Sequence, residues 1–382
     1  MEKNKVYTLE GIYTLKDPAE FIAEIDRVQT EYQLPIISIV LTSEGDLLSL
    51  FEKKKFYNFH ISYITKNSSF ASLGLSFTKK DSVINGKFAI LKTESPGVYL
   101  LVSHEGSIFI REALSKLLSK LYPYVSQAFL SSYKLLQMLR NLHKNHPEKT
   151  IRLRKIVSKC RILQKGSRKK IESEIKWTDL PYEDAFRIVF ENDGWINNVD
   201  FELIYKKQYS EHDLFGRPKG YYTKETFGSL SRTGIFKCKE EFLFFYQTVI
   251  KDICEFAIKN INLLKDRARV KVTNYQPKPI IIEYDEDIFK DKTQNKKLTN
   301  IISNLPQTAV SAFHSNPYLH LSILDYQDLS SYDLWVLSNK RIVIVPQMKS
   351  SYISLNRLCN QILTSFKEGE IKDFSEIENA TK

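Results

Sequence analysis

Residues 144–176 read KNHPEKTIRLRKIVSKCRILQKGSRKKIESEIK, and the reading of this stretch decides the fold of the middle of the chain. It holds twelve lysines and arginines against three glutamates, a net charge of +9, while the whole 382-residue chain carries +11. Leu153, Ile156, Val157 and Cys160 stand at i, i+3, i+4 and i+7, the spacing of one apolar stripe along a helix. That spacing predicts an amphipathic helix with Arg152, Lys155 and Lys159 on another side. Gly166 and Ser167 end it, and Arg168, Lys169 and Lys170 open the next piece.

Outward from this block the charge falls away. Residues 1–143 hold 17 basic and 14 acidic side chains, residues 177–271 hold 15 of each, and residues 272–382 hold 12 and 13. A dense local block favours counterion release from a phosphate backbone, so the expected partner is DNA or RNA. Arginine suits phosphate because its planar fork makes two parallel hydrogen bonds. The residues expected to meet phosphate are Arg152, Arg154, Lys155, Lys159, Arg161, Lys165, Arg168, Lys169 and Lys170. Contact with six phosphates predicts a log–log salt slope of about −5 on duplex DNA. The same cationic helix also suits an acidic protein surface, which makes the chain a scaffold or adaptor subunit of a larger complex.

Gly216-Arg217-Pro218-Lys219 resembles the core of an AT-hook, which implies that Arg217 follows the floor of an A·T minor groove. Phe215 stands where that family carries a base, and the dense flanking lysines and arginines are missing.

The expected fold class is mixed α+β. A hydrophobic content of 42% can fill the cores of two or three domains. Residues 1–143 read as a β-rich α+β domain, 144–271 as a mainly helical domain opened by the basic block, 272–369 as a smaller α/β domain and 370–382 as an acidic, frayed tail. Asp17-Pro18 starts a helix. PIISIVL and DLLSLF flank Thr42-Ser43-Glu44-Gly45 as a hairpin. REALSKLLSKLY and VSQAFLSSYKLLQMLRNLH read as helices parted at Pro123, and residues 200–236 as irregular. Towards the end PKPIIIEY, YLHLSILDY, DLWVLSN and KRIVIVP read as strands; QTAVSAF and SSYISLNRLCNQILTSF read as helices.

Cys160, Cys238, Cys254 and Cys359 form no CxxC pair and sit in apolar or amphipathic runs, as reduced buried thiols do. The amino terminus, MEKNKVYTLEG, has no apolar signal core, and no apolar run reaches the length of a membrane span. The expected location is therefore cytoplasmic, with no membrane partner.

Catalytic motifs are sparse. Glu283, Asp285 and Asp287 follow the apolar run PIII and share one face if a strand continues through them. Carboxylates at a strand end suit Mg²⁺ and imply a metal-dependent nuclease as a further alternative; outside that alternative no cofactor is expected. His60-Ile61-Ser62 and His320-Leu321-Ser322 resemble the paired HxS/T signature of two-histidine phosphoesterases, which implies acid–base work on a phosphate. They stand 260 residues apart, whereas that family holds both in one compact fold. His143, His146 and Cys160 make a partial zinc set without a clear fourth ligand. No P-loop, GxGxxG or GxSxG occurs.

Overall fold

The computed structural model describes residues 8–53, 56–80, 82–94, 96–163, 170–177, 181–192, 194–208, 221–267, 278–314 and 318–375, with only the backbone of residues 53, 160–163, 170–177, 205–208 and 221–224. Two antiparallel sheets with helices organise it, one in each of two units, Met1–Glu255 and Phe256–Lys382.

The first unit holds β1 (Ile36–Ser43), β2 (Phe59–Lys66), β3 (Phe70–Lys79), β4 (Ser82–Lys92), β5 (Val98–Ser103), β6 (Val125–Gln127), β7 (Thr150–Leu163), β8 (Lys170–Trp177), β9 (Trp195–Gln208), β10 (Tyr221–Ser231) and β11 (Ile235–Cys238). Their order is β2-β3-β4-β5-β1-β11-β10-β9-β7-β8, with β6 also on β1. The helices are α1 (Pro18–Tyr32), α2 (Leu47–Lys53), α3 (Ser115–Leu121), α4 (Ser132–Asn145), α5 (Tyr182–Glu191) and α6 (Phe242–Phe245). A π-helical turn, Tyr246–Ile250, carries α6 on into α7 (Lys251–Lys265). Asp17 caps α1 as its sequence predicts, accepting from the backbone N–H groups of Ala19 and Glu20 ahead of a Pro at N1.

β1, IISIVLTS, is buried at every position, as expected of an apolar run broken only by Ser38 and covered by helices on both faces. Ile37, Ile39 and Leu41 face Leu47 and Leu48 of α2 and Leu114, Leu117 and Leu118 at α3. The register places Ser38 opposite Phe236, Phe236 opposite Leu230, Leu230 opposite Val199 and Val199 opposite Ile156, so these residues share the other face. There the rings of Phe201 and Phe236 pack on Phe245, at centroid distances of 6.2 and 5.0 Å. Gln29 of α1 ties the layers together: its amide donates to the Cys238 carbonyl at 3.1 Å and accepts from the Phe242 N–H at 3.0 Å.

The second unit holds β12 (Ile280–Glu283), β13 (Thr308–His314), β14 (Leu319–Asp325), β15 (Ser330–Ser338), β16 (Arg341–Pro346) and β17 (Glu370–Asp373), in the order β13-β14-β15-β16-β12-β17. α8 (Thr293–Ser303) and α9 (Tyr352–Gln361) bury Leu298, Ile302, Leu355 and Leu358, while the sheet buries Leu321, Ile323, Leu334, Ile342 and Ile344. Asp325 and Arg357 form a buried ion pair at 2.6 Å; Ser354 also donates to Asp325 and Arg357 to the Pro306 carbonyl.

Several expectations fail. The helix that the apolar spacing predicts over residues 153–160 is strand β7. Residues 144–271 are not mainly helical: they supply β7 to β11. Residues 200–236, expected to be irregular, fall largely in β9, β10 and β11 where they are described, with 209–220 outside the described residues; in β9 Val199, Phe201 and Leu203 point inward between Asn198, Asp200 and Glu202. LLSLFEK is helix α2 rather than the second arm of a hairpin, because Leu47, Leu48 and Phe51 are all buried on one side. Val125–Gln127 is a strand, and TAVSAFH forms β13 against β14 instead of a helix. The frayed tail does not begin at 370, since β17 pairs with β12 and Asp373 accepts from Arg267 at 2.5 Å. Among the described residues no helix is long and apolar enough to cross a membrane.

Candidate nucleic-acid interface

The misread helix has a local cause. Along β7 the buried residues are Ile151, Leu153, Ile156 and Ser158. Opposite β9 the register runs Leu153 to Phe201 and then Lys155 to Asp200, which leaves Arg154 as an extra residue. This β-bulge shifts the phase of alternation by one. It turns a two-residue interval into the three-residue step from Leu153 to Ile156, which imitates a helical period.

The bulge also sets the charges. Arg152, Arg154, Lys155, Val157 and Lys159 lie on the face of β7 away from the core, where none is fully buried. Two rows cross neighbouring strands on this face. In one, Lys155 stands opposite Asp200, Asp200 hydrogen-bonds Asn198 and Ser229 at 2.5 and 2.6 Å, and Ser229 stands opposite Lys237. In the other, Arg152 stands opposite Glu202 and Glu202 opposite Phe227, with Lys239 reaching over the Phe227 ring at 5.6 Å.

Glu202 is the hub. Its carboxylate is 6% exposed and accepts from Arg152 Nε and Nη2 on one oxygen, at 3.1 and 2.5 Å. Arg154 Nε lies 3.0 Å from the other oxygen. Both arginine side chains remain 52% exposed, and Arg152 also lies 3.9 Å from Glu225. The buried carboxylate therefore orients two guanidinium groups on side chains that remain half exposed.

Two half-buried rings are flanked by cations on this side. Arg154 lies 5.8 Å from the centroid of Phe227, the ring that Lys239 also reaches. Lys159 and Arg232 lie 6.0 and 5.9 Å from the Trp195 ring, and Arg232 also lies 4.9 Å from Phe129. These ring contacts are within cation–π range. Phe227, Trp195, Arg232, Lys237 and Lys239 escape the charge count because they lie outside the basic block; the alternation in Thr226–Ser231 was the available signal.

No family model fits the chain, and no curated protein is significantly similar to it.

The remaining expected residues scatter. β7 and β8 place Arg161 opposite Glu172 and Leu163 opposite Lys170, while Lys165, Arg168, Lys169 and Arg217 lie outside the described residues. β12 ends at Glu283, so no strand continues to align Glu283, Asp285 and Asp287. Glu283 accepts from Lys372 and Arg341, each at 2.8 Å, and the Lys372 hydrogen bond foremost holds its carboxyl below the usual range. Among the described residues no three His, Cys, Asp or Glu side chains cluster as metal ligands. His60 lies on β2 and His320 on β14, in different units. Cys238, Cys254 and Cys359 are buried free thiols that burial pushes up to about 12.

Proposed function

We propose that the outer face of β7, β9, β10 and β11 binds a nucleic-acid backbone. The observation that carries this reading is the set of cations on one face: Arg152 and Arg154 held by Glu202, Lys155 and Lys159 further along β7, Lys237 on β11 and the exposed Lys239 just after it. Guanidinium groups and lysine ammonium groups meet phosphate oxygens, and each contact releases condensed counterions. The function is binding within a larger assembly, and no reaction is assigned to the face.

The test is binding of labelled DNA and RNA to the full chain across a salt series. Arg154, Lys155, Lys159 and Lys237 are changed together to alanine, sparing Arg152 as a partner for Glu202. Affinity should fall and the salt dependence should flatten. Unchanged affinity with an unchanged slope rejects the proposal. Asp200, Glu202 and Glu225 among the cations favour a second reading, an adaptor that docks a protein surface of mixed charge. Under that reading a partner protein, and no nucleic acid, co-purifies with the chain.

A further inference from the structure

Resting on that reading, we infer that the ligand of this face is a single strand rather than a duplex, with bases stacked on Phe227 and Trp195 while the flanking cations hold its phosphates. Phe227 has Arg154 and Lys239 at 5.8 and 5.6 Å, and Trp195 has Lys159 at 6.0 Å. Arg232 also lies 5.9 Å from Trp195, but its Nε and Nη2 are buried and its Nη1 donates to Asn197, so Lys159 is the cation that meets phosphate at this ring. A solvated cation needs no aromatic ring beside it to meet a duplex phosphate. A single strand presents both an anion and a flat base in each nucleotide, and rings beside cations match that alternation. In a duplex the base faces are stacked on one another and offer nothing to a ring on a sheet.

The spacing fits a short run of nucleotides. Glu202, opposite Phe227, stands seven residues along β9 from Trp195, and Asn197 is an extra, bulged residue between them, so the rings are separated along the strand by six steps, about 20 Å at ~3.3 Å per residue. Between them lie Lys155 on β7 and the hydrogen-bonded Asn198, Asp200 and Ser229. Asn198 and Ser229 offer polar groups to sugars or base edges, while Asp200 keeps this middle section less cationic than its two ends. Single-strand-binding surfaces of this kind cover about 4–16 nucleotides.

The experiment measures fluorescence anisotropy of a 12-nucleotide single strand, as DNA and as RNA, and of the corresponding duplex, on the full chain at one salt concentration. Single strands should bind at least about tenfold tighter than duplex. Phe227→Leu and Trp195→Leu, each removing the ring but leaving an apolar side chain, should each weaken single-strand binding about 5- to 150-fold, the range of one lost base stack. The ratio of single-strand to duplex affinity should fall accordingly. A urea midpoint for each variant verifies folding, and the two variants act at separate sites, so either one decides alone. Duplex bound as tightly as single strand, or single-strand affinity unmoved in either folded variant, overturns this inference and leaves the polyanion reading standing. Binding of neither form overturns both.

Discussion

Changing Arg152 and Arg154 together to alanine removes both guanidinium groups that pair with Glu202, whose carboxylate is 6% exposed. Leaving one member of a fully buried ion pair without its partner costs about 3–5 kcal/mol. Here both arginine side chains are 52% exposed, so water reaches part of the pair and the expected cost falls to about 2–3 kcal/mol. Glu202→Gln keeps the shape and removes the charge. In that background the same two arginine changes should cost less than about 1 kcal/mol, because no buried charge is stranded. The double-mutant cycle therefore predicts a coupling of about 2 kcal/mol between Glu202 and the arginine pair. Urea unfolding of the four full-length proteins, followed by tryptophan fluorescence, measures it. A coupling below about 0.5 kcal/mol refutes the claim that Glu202 organises this face, and with it the reason to regard the guanidinium groups as oriented in advance.

Lys155→Ala with Lys159→Ala should flatten the log–log salt slope for single strands by about 1.4, two contacts at ~0.7 each; a titration series from low to high salt reads this directly. Arg357→Met alone, which strands Asp325, should destabilise the chain by about 3–5 kcal/mol, whereas adding Asp325→Leu should recover much of that loss in the same unfolding assay. Gly86→Ala would place a methyl group 2.5 Å from the Phe109 ring and should cost about 1–3 kcal/mol; a neutral result means that the ring moves aside freely. Burial holds His104 below its ordinary pKa while Tyr13 bonds its Nδ1 at 2.7 Å. Its folded pKa is depressed, so the unfolded chain binds the proton more readily. The stabilisation is present above about pH 6.5 and is lost as pH falls below that value. Stability measured from pH 7.5 to 5 should show this loss in the parent and less of it in His104→Gln; equal slopes contradict the assignment.

Legibility in the sequence followed the strength of local signals. Asp17-Pro18 announced α1 because a cap and a proline act on their own neighbours, and the Asp17 side chain does bond Ala19 and Glu20. IISIVL, LHLSILD and RIVIV read correctly as strands, the first and last as short apolar runs rich in β-branched residues and LHLSILD by its alternation. LLSLF was harder, since a five-residue apolar run suits either period, and contact with the core chose a helix. β9 hides its alternation behind Asn, Asp and Glu, residues that also mark turns; only a partner strand on each side makes those polar positions one face of a sheet.

The sequence by itself determined the charge, its concentration in residues 144–176, and the mixture of helices and strands, because composition and short-range periodicity need no partner to be read. The tertiary structure decided what that charge is attached to. One extra residue at Arg154 shifts β7 by half a pleat, and that shift is defined only against β9, forty-six residues further on at Asp200. The same pairing brings Glu202 beneath two arginines and sets Phe227 and Trp195 beside cations from other strands. A charge count is a sum over one chain segment. An oriented surface is a relation between segments, and hydrogen-bond register between strands is what establishes it.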